Sequence, residues 1–459
     1  MSATILLCLA LALAPSCAER PPPDIVLVVV DTLRADHLGA YGYARPTSPT
    51  IDALSKTGTL FSNAASPSSW TKPAVASLFS SRLPSEHGAV SCARDLGPEL
   101  PLLAEALRAR GYYTVGVSAN FVHIAAPRGF GRGFDVFESP NVEVAGEGEH
   151  IIELQNGSGP PRRFRAANGH EINAIVARIL RERPKKPLFL YVHYMEPHAG
   201  YEPPERLAKA FSRDRSFAQG APAAHADYVS TLARAGSKVD PREIARLVDL
   251  YDAEIASVDE AIAELRDLVA AAGASRALWV VTADHGEEFG EHGGFFHGIH
   301  LHEETVHVPL VLAGPGVPAT RRDEPVDLLD VAPTLLAAAG ARALPGARGR
   351  DLLATALAPH DLIAELHADP EAEEHLVPRQ DRFTVTRWPY RLFALRDGSL
   401  ELYRRDRDPA EKVPLADPDP PLVNGLAGAG AEVWRPLDGG ARTVDPAKRE
   451  ELRALGYAD

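Results

Sequence analysis

The sequence predicts an α/β fold: a large, mostly parallel sheet flanked by helices on both faces, with a small C-terminal α+β domain. Three observations carry this reading. Apolar, β-prone runs alternate with helical stretches over most of the chain, the pattern of parallel strands joined by crossing helices. Two of the apolar runs end on an aspartate, at the carboxyl ends of strands where open α/β sheets gather their ligands. After about residue 360 the rhythm changes to short strand-like runs with a tight turn between two of them.

The predicted strands are 24–30, 59–64, 112–118, 187–194, 276–283 and 308–313. The first, DIVLVVV, is apolar and β-branched throughout, as a strand buried on both faces must be. The fifth, RALWVVTA, reads the same way. The predicted helices are 50–57, 72–81, 100–110, 169–183, 243–271 and 330–340. Two polar stretches, 141–168 and 205–240, interrupt the alternation and read as surface excursions near a site. Towards the C-terminus, DRFTVTR, YRLFALRD and LELYRRD read as three strands, with Asp397-Gly398 turning one hairpin, and PAKREELRALGY reads as a helix. The divisions that follow are 1–23, 24–358 and 359–459.

Composition narrows the class. The chain has 459 residues, enough for one large and one small domain, and 45% hydrophobic residues, enough for sizeable cores. Its net charge of −14 and lack of a basic run argue against a nucleic-acid partner. The apolar stretch at 5–14 is too short to span a bilayer and reads as a signal-peptide core, although no Lys or Arg precedes it. The run LAPSC offers Cys17 as a lipidated residue, and ordinary cleavage after Ala14-Pro15-Ser16 is the alternative. Either reading sends the chain to the periplasm or cell envelope, with membrane contact only through an anchor at Cys17. With Cys8 and Cys17 in the leader, Cys92 has no cysteine to pair with, and a disulfide framework is excluded.

The chemistry concentrates at two strand ends. The run 276–283 ends on Asp284-His285, a carboxylate beside an imidazole and a good half-site for a divalent metal. The strand 24–30 ends on Asp31. Two aspartates at the ends of separate buried strands point to one shared ion. The plain alternative for Asp31 is a cap on the following turn. His292 and His297 follow in a turn-rich loop.

Ordered motifs then identify a resemblance. They are VVVDTLRADHLGAYGY (28–43), SPTIDALSKTGTLFSNAASPSSWTKPAVASLFSSRLPSEHG (48–88), YVHYMEPHAGYEPP (191–204), TADHGEEFGEHG (282–293), VPLVLAGPG (308–316) and VDLLDVAPTLLAAAG (326–340). The tail ELYRRDRDPAE (401–411) with LRALGY (452–457) completes the series. In this order they resemble the sulfatase family of the alkaline phosphatase superfamily.

The resemblance implies residue roles. Sulfatases carry Cys or Ser in C-x-P-S-R and oxidise the Cys to formylglycine. Here Pro73 and Ser77-Leu78 place Thr71 at the nucleophile, and Val75 replaces the arginine. Threonine cannot become formylglycine, and it serves as nucleophile in relatives that work on phosphorus. The local alternative is that Thr71 only caps a helix. The implied metal ligands are Asp31, Thr71, Asp284 and His285, for one divalent ion. Sulfatases usually show two aspartates where this chain has Asp31-Thr32, and many have Asn at His285. Trading oxygen for imidazole favours Mn²⁺ or Zn²⁺ over Ca²⁺ or Mg²⁺. His198 and His297 match substrate histidines that stabilise charge and protonate the leaving oxygen. Lys72 and Arg82 are candidates to bind the anionic substrate, or else a solvated side chain and a structural ion pair. His87 and His292 read as structural. A second ion held by Glu196, His198 or the His297/His300/His302 group ranks low.

The expectation is an exported, metal-dependent hydrolase or transferase whose Thr71 attacks a phosphate or phosphonate ester through a covalent intermediate. Its substrate would be a small anionic ester, a glycan or a lipid headgroup. The alternatives are a sulfuric ester hydrolase and a catalytically silent relative that binds an anionic ligand.

Overall fold

The structure is a computed structural model and describes residues 22–144, 152–154, 162–213, 239–367 and 381–434. Its centre is an eight-stranded sheet. In chain order the strands are β1 (Ile25–Val30), β2 (Thr59–Phe61), β3 (Tyr113–Ser118), β4 (Val136–Glu138), β5 (Leu188–Tyr194), β6 (Leu278–Ala283), β7 (Leu310–Ala313) and β8 (Thr320–Arg322). Across the sheet they run β8-β2-β7-β6-β1-β5-β3-β4. β1 is central, parallel to both β5 and β6, and all six of its side chains are fully buried. That is why its sequence is an unbroken apolar run. β7 departs from the parallel pattern, pairing antiparallel with β6 and β2.

Seven helices frame the account: α1 (Pro49–Thr57), α2 (Thr71–Ser80), α3 (Leu103–Ala109), α4 (Gly169–Arg181), α5 (Pro241–Val269), α6 (Val331–Ala338) and α7 (Pro420–Val433). α1 and α4 pack on α5, while α2, α3 and α6 pack on one another, giving two helical layers. α5 does more than cover the sheet. Its Asp259 accepts the backbone N–H groups of Thr50 (2.8 Å) and Ile51 (3.0 Å), so it satisfies donors at the start of α1. Its Tyr251 hydroxyl donates to the Thr32 carbonyl at 2.7 Å and accepts from Arg34 N–H at 2.8 Å, which pins the turn just beyond β1.

Strands β9 (Leu362–Glu365), β10 (Asp381–Arg387), β11 (Tyr390–Leu395) and β12 (Leu400–Arg404) form a separate antiparallel sheet in sequential order, covered by α7. The predicted hairpin is present, with Gly398 at φ +90° in its turn. β9 and α7 were not anticipated. α7 is rich in glycine, a poor helix former. Packing explains Gly430: a Cβ there would lie 2.0 Å from a Phe383 ring carbon. The stretch 141–168 also holds more structure than expected. Asn141–Val144, Ile152–Leu154 and Arg162–Ala166 form a small antiparallel sheet. The leader with Cys17, most of the 205–240 stretch and the C-terminal PAKREELRALGY lie outside the described residues. Cys92, the one described cysteine, forms no disulfide, and among the described residues no helix is long and apolar enough to cross a membrane.

The two bodies meet close to the predicted site. Glu365 N donates to the Pro67 carbonyl at 2.8 Å, and Ser68 Oγ donates to the Glu365 carbonyl at 3.1 Å, so β9 supports the loop that leads into α2. Arg391, 2% exposed, bonds Glu411 at 2.8 Å and Thr386 Oγ1 at 2.8 Å and pairs with Glu303 at 3.1 Å. We expect Arg391→Ala to destabilise the protein by about 3 kcal/mol, because it takes one of two arginine partners from buried Glu411 and half-buried Glu303, leaving only Arg405. Urea unfolding of the variant checks this, and a shift within experimental error would refute the assignment of Arg391 as the ionic centre of the joint.

Candidate active site

Strand register assembles the site. Val30 of β1 lies opposite Ala283 of β6 on one side and Tyr194 of β5 on the other. Three strands therefore end at one level, and Asp31 and Asp284 emerge next to each other, both fully buried. Asp31 Oδ2 faces His193 Nε2 at 3.1 Å and accepts from Asn120 Nδ2 at 3.2 Å. Asp284 Oδ1 accepts from Thr32 N at 3.2 Å and His285 N at 2.9 Å. The other oxygens, Asp31 Oδ1 and Asp284 Oδ2, are buried without a hydrogen-bond partner.

His285 completes the set. Its Nδ1 donates to the Gly286 carbonyl at 2.9 Å, which leaves a lone pair on Nε2. That nitrogen lies 3.6 Å from Asp31 Oδ1, 3.6 Å from Asp284 Oδ2 and 3.3 Å from Thr71 Oγ1. One donor atom each from Asp31, Asp284 and His285 falls within 4.8 Å of the others. Burial, then the charge of Asp31, pushes the Asp284 carboxyl well above the usual carboxylate range. Burial acts on Asp31 in the same direction, but the His193 hydrogen bond and the nearby His198 hold it well below that range. Burial and the charge of His297 keep His285 neutral, the form that ligates metal. Orphaned carboxylate oxygens beside an imidazole lone pair are costly in a dry site unless a cation compensates them. The residues present therefore fit a divalent cation.

The turn after β1 is strained. Thr32 is β-branched and sits at φ 56°, a conformation that costs about 1–3 kcal/mol. Its N–H is the one that reaches Asp284, and its carbonyl is held by Tyr251, so the strain is sustained by contacts on both sides.

Thr71 is the first residue of α2 and 3% exposed. The capping position falls on Trp70, and no side chain there makes a capping bond. The Thr71 hydroxyl is turned to His285 instead of closing the helix, so the simple cap is not its role. It lies at the N-terminal end of α2, where the helix dipole favours negative charge.

His198 and His297 come together, with ring centroids 4.9 Å apart, and His297 lies 4.5 Å from His285. His297 Nδ1 is 2.7 Å from Glu287 Oε1. Burial alone would lower the His297 imidazole, but the charge and hydrogen bond of Glu287 raise it above the usual histidine range. Burial lowers His198 despite the charge of Asp31.

Two expectations need correction. Arg82 follows the far end of α2, eleven positions from Thr71, or roughly 16 Å along a helix. It donates to the Pro345 carbonyl at 2.8 Å, a structural contact, neither a substrate contact nor the expected ion pair. Lys72 is neither solvated nor turned to substrate. Its buried ammonium donates to the carbonyls of Ser91 (3.0 Å) and Cys92 (2.8 Å) and lies 3.9 Å from Asp95. Its charge and burial together keep His123, stacked edge-on against Trp70, well below the usual histidine range. Glu196 is also taken up elsewhere, accepting Gly169 N–H at 2.8 Å.

Sequence reading missed His193, Asn120, Glu287 and Tyr191. Tyr191 OH lies 2.8 Å from His193 Nδ1, so a Tyr–His chain backs Asp31. A histidine inside the apolar run LFLYVHY was the available signal for His193. Asn120 sits in a loop and gave none.

Replacing Asp284 with Ala should remove one equivalent of divalent metal per chain, and activity with it, while the circular dichroism spectrum is kept. Elemental analysis of the purified variant checks this, and unchanged metal stoichiometry would dismiss Asp284 as a ligand.

The sulfatase family model matches residues 23–341, a span that contains Asp31, Thr71, His198, Asp284, His285 and His297. A sulfatase of Formosa agariphila is 22% identical over 432 residues, covering 86% of this chain and 83% of that one. A structure solved with its substrate D-glucosamine-2-N,6-O-disulfate superposes with TM-score 0.70 at 18% identity, over 90% of this chain and 97% of the other. The phosphonate monoester hydrolase of Agrobacterium radiobacter gives TM-score 0.67 at 20% identity, over 89% and 94%. By the length of the family match, this chain is a hydrolase of the sulfatase family.

Proposed function

We propose that this hydrolase cleaves phosphate or phosphonate esters, with Thr71 as the nucleophile. The carrying observation is the buried Thr71 hydroxyl, 3.3 Å from His285 Nε2 and without sulfur to oxidise. A divalent cation held by Asp31, Asp284 and His285, of the Mn²⁺ or Zn²⁺ class by its mixed oxygen and nitrogen donors, supplies positive charge that favours ionised Thr71 and the ester's anionic oxygens. Thr71 attacks phosphorus in line, aided by the N-terminal end of α2. His297, whose proton affinity Glu287 raises, gives its proton to the leaving oxygen. His198 lies against it and contacts the substrate's anionic oxygens. Water then resolves the threonine ester, and an alcohol acceptor would make the reaction a transfer. The fold shared with the phosphonate monoester hydrolase supports this reading. The apolar stretch at 5–14 supports export to the periplasm or envelope, with Cys17 as the candidate anchor.

Sulfate ester hydrolysis is the second reading, favoured by family membership. A panel of aryl sulfate, phosphate monoester, phosphate diester and phosphonate monoester, each with Mn²⁺, Zn²⁺, Mg²⁺ and Ca²⁺, separates the two. Highest kcat/KM on aryl sulfate would overturn the phosphorus reading.

Thr71→Ala is expected to lower kcat by about a thousandfold or more, as loss of a nucleophile does. Thr71→Ser should keep a measurable part of the activity. Because no capping bond is lost, both variants should stay within about 1 kcal/mol of wild-type stability. Wild-type turnover in the alanine variant would eliminate the threonine mechanism. The pH profile tests His297. A group acting as an acid is active below its pKa, and activity falls as pH rises through it. Glu287→Gln removes what raises that pKa, so the basic limb of kcat/KM should move to lower pH. A basic limb that stays in place would show that His297 is not the acid.

A further inference from the structure

The loop that carries His297 has a second face, turned to the C-terminal sheet. Neighbouring residues of extended chain point opposite ways, so Glu287 reaches His297 while Glu288 reaches His300. Glu288, His292, His300 and Glu304 each place one donor atom within 4.8 Å of the other three. Glu288 and Glu304 are buried, 1% and 7% exposed. We propose that these four side chains form a second divalent-cation site of zinc chemistry, which clamps the 288–304 loop. The proposal is independent of which ester the enzyme cleaves.

The donor set is two imidazoles and two carboxylates, a combination zinc takes up in tetrahedral form. Zinc bonds of about 2.0 Å place neighbouring donors roughly 3.3 Å apart in a tetrahedron. The separations here bracket that figure: His300 Nε2 to Glu288 Oε2 is 2.5 Å, His292 Nδ1 to Glu304 Oε1 is 2.6 Å, and His300 Nε2 to Glu304 Oε1 is 3.6 Å. For these three pairs an ion needs adjustments of under about 1 Å, and the other three pairs lie within 4.8 Å.

The outer contacts of His292 and Glu288 are those of a metal site. A ligating histidine donates its other ring N–H to a carbonyl or carboxylate, and His292 Nε2 donates to the Glu411 carbonyl at 3.0 Å. With that proton on Nε2, the atom facing Glu304 at 2.6 Å carries either a second proton or a cation. Glu288 Oε1 is held by the N–H groups of His292 (2.7 Å) and Gly294 (2.9 Å), which leaves Oε2 for the cluster. At His300 the ring proton moves from Nε2 to Nδ1 when zinc binds, at the expense of a long 3.3 Å contact from His302 N. One proton, that of His292 Nδ1, leaves to solvent for each ion bound.

The surrounding charges favour a cation. Glu303 and Glu411 are paired with Arg391 and Arg405. Among the described residues, the only side chains that ion-pair with Glu288 and Glu304 are the two histidines. Two buried carboxylates thus share two imidazoles, while the one lysine whose charge reaches His292, Lys412, donates to the Glu291 carbonyl.

The test is metal counting on the full chain, stripped with chelator and reloaded with Zn²⁺. Wild type should hold two equivalents, Asp284→Ala one, His292→Gln/His300→Gln one, and the three substitutions combined none. Reloading Asp284→Ala with Co²⁺ should give the visible absorption of a tetrahedral site, absent after the histidine substitutions. Glu304→Gln, a milder change, should also lose that absorption if the histidine variant fails to fold. One equivalent in wild type and none in Asp284→Ala would mean that the cluster is only an imidazole–carboxylate network, and the proposal would fall. Unchanged zinc content in folded His292→Gln/His300→Gln would do the same.

Discussion

Two carboxylates that emerge side by side from the centre of a buried sheet impose the main constraint on this molecule. Asp31 and Asp284 are fully excluded from water and each keeps one oxygen without a hydrogen bond. Isolated buried charge is among the most expensive features a fold can carry. Much of the surrounding structure answers it. His193, steadied by Tyr191, and Asn120 engage one oxygen of Asp31, and backbone N–H groups engage one oxygen of Asp284. What these contacts leave over is directed at one point, beside the lone pair of His285 and the hydroxyl of Thr71.

The same constraint organises the periphery. Thr32 holds an unfavourable backbone angle because its N–H is needed at Asp284, and Tyr251 on α5 holds its carbonyl. α5 is therefore part of the site's scaffold as well as a covering helix. The C-terminal sheet contributes from the other side, through Glu365 against the loop before α2 and through Glu411 and Arg391 against the 288–304 loop. Histidines of different proton affinity then sit within a few ångströms of one another: burial pushes His285 well below the usual histidine range, and Glu287 raises His297 above it. Neighbouring imidazoles whose environments push their pKa values apart are suited to different tasks, the division of labour on which the proposed mechanism rests.

Local sequence determined a good deal by itself. The unbroken apolar runs of β1 and β6 announced buried parallel strands, and the aspartates at their ends announced the site, because burial on both faces leaves the strand end as the first place a charge can stand. The threonine at position 71 excluded a formylglycine there, since its β-carbon carries a methyl group and cannot become an aldehyde. Tertiary structure decided the rest. Only the register of Val30 with Ala283 and Tyr194 brings Asp31, Asp284 and His193 together across gaps of some 160 to 250 residues. Only packing sent Lys72 inward to backbone carbonyls and Arg82 to the far end of α2, because spacing along a chain says nothing of which buried acceptor a long side chain will find. Only packing, too, folded the glycine-rich α7 against Phe383, since helix propensity is weaker than the burial that tertiary contact supplies.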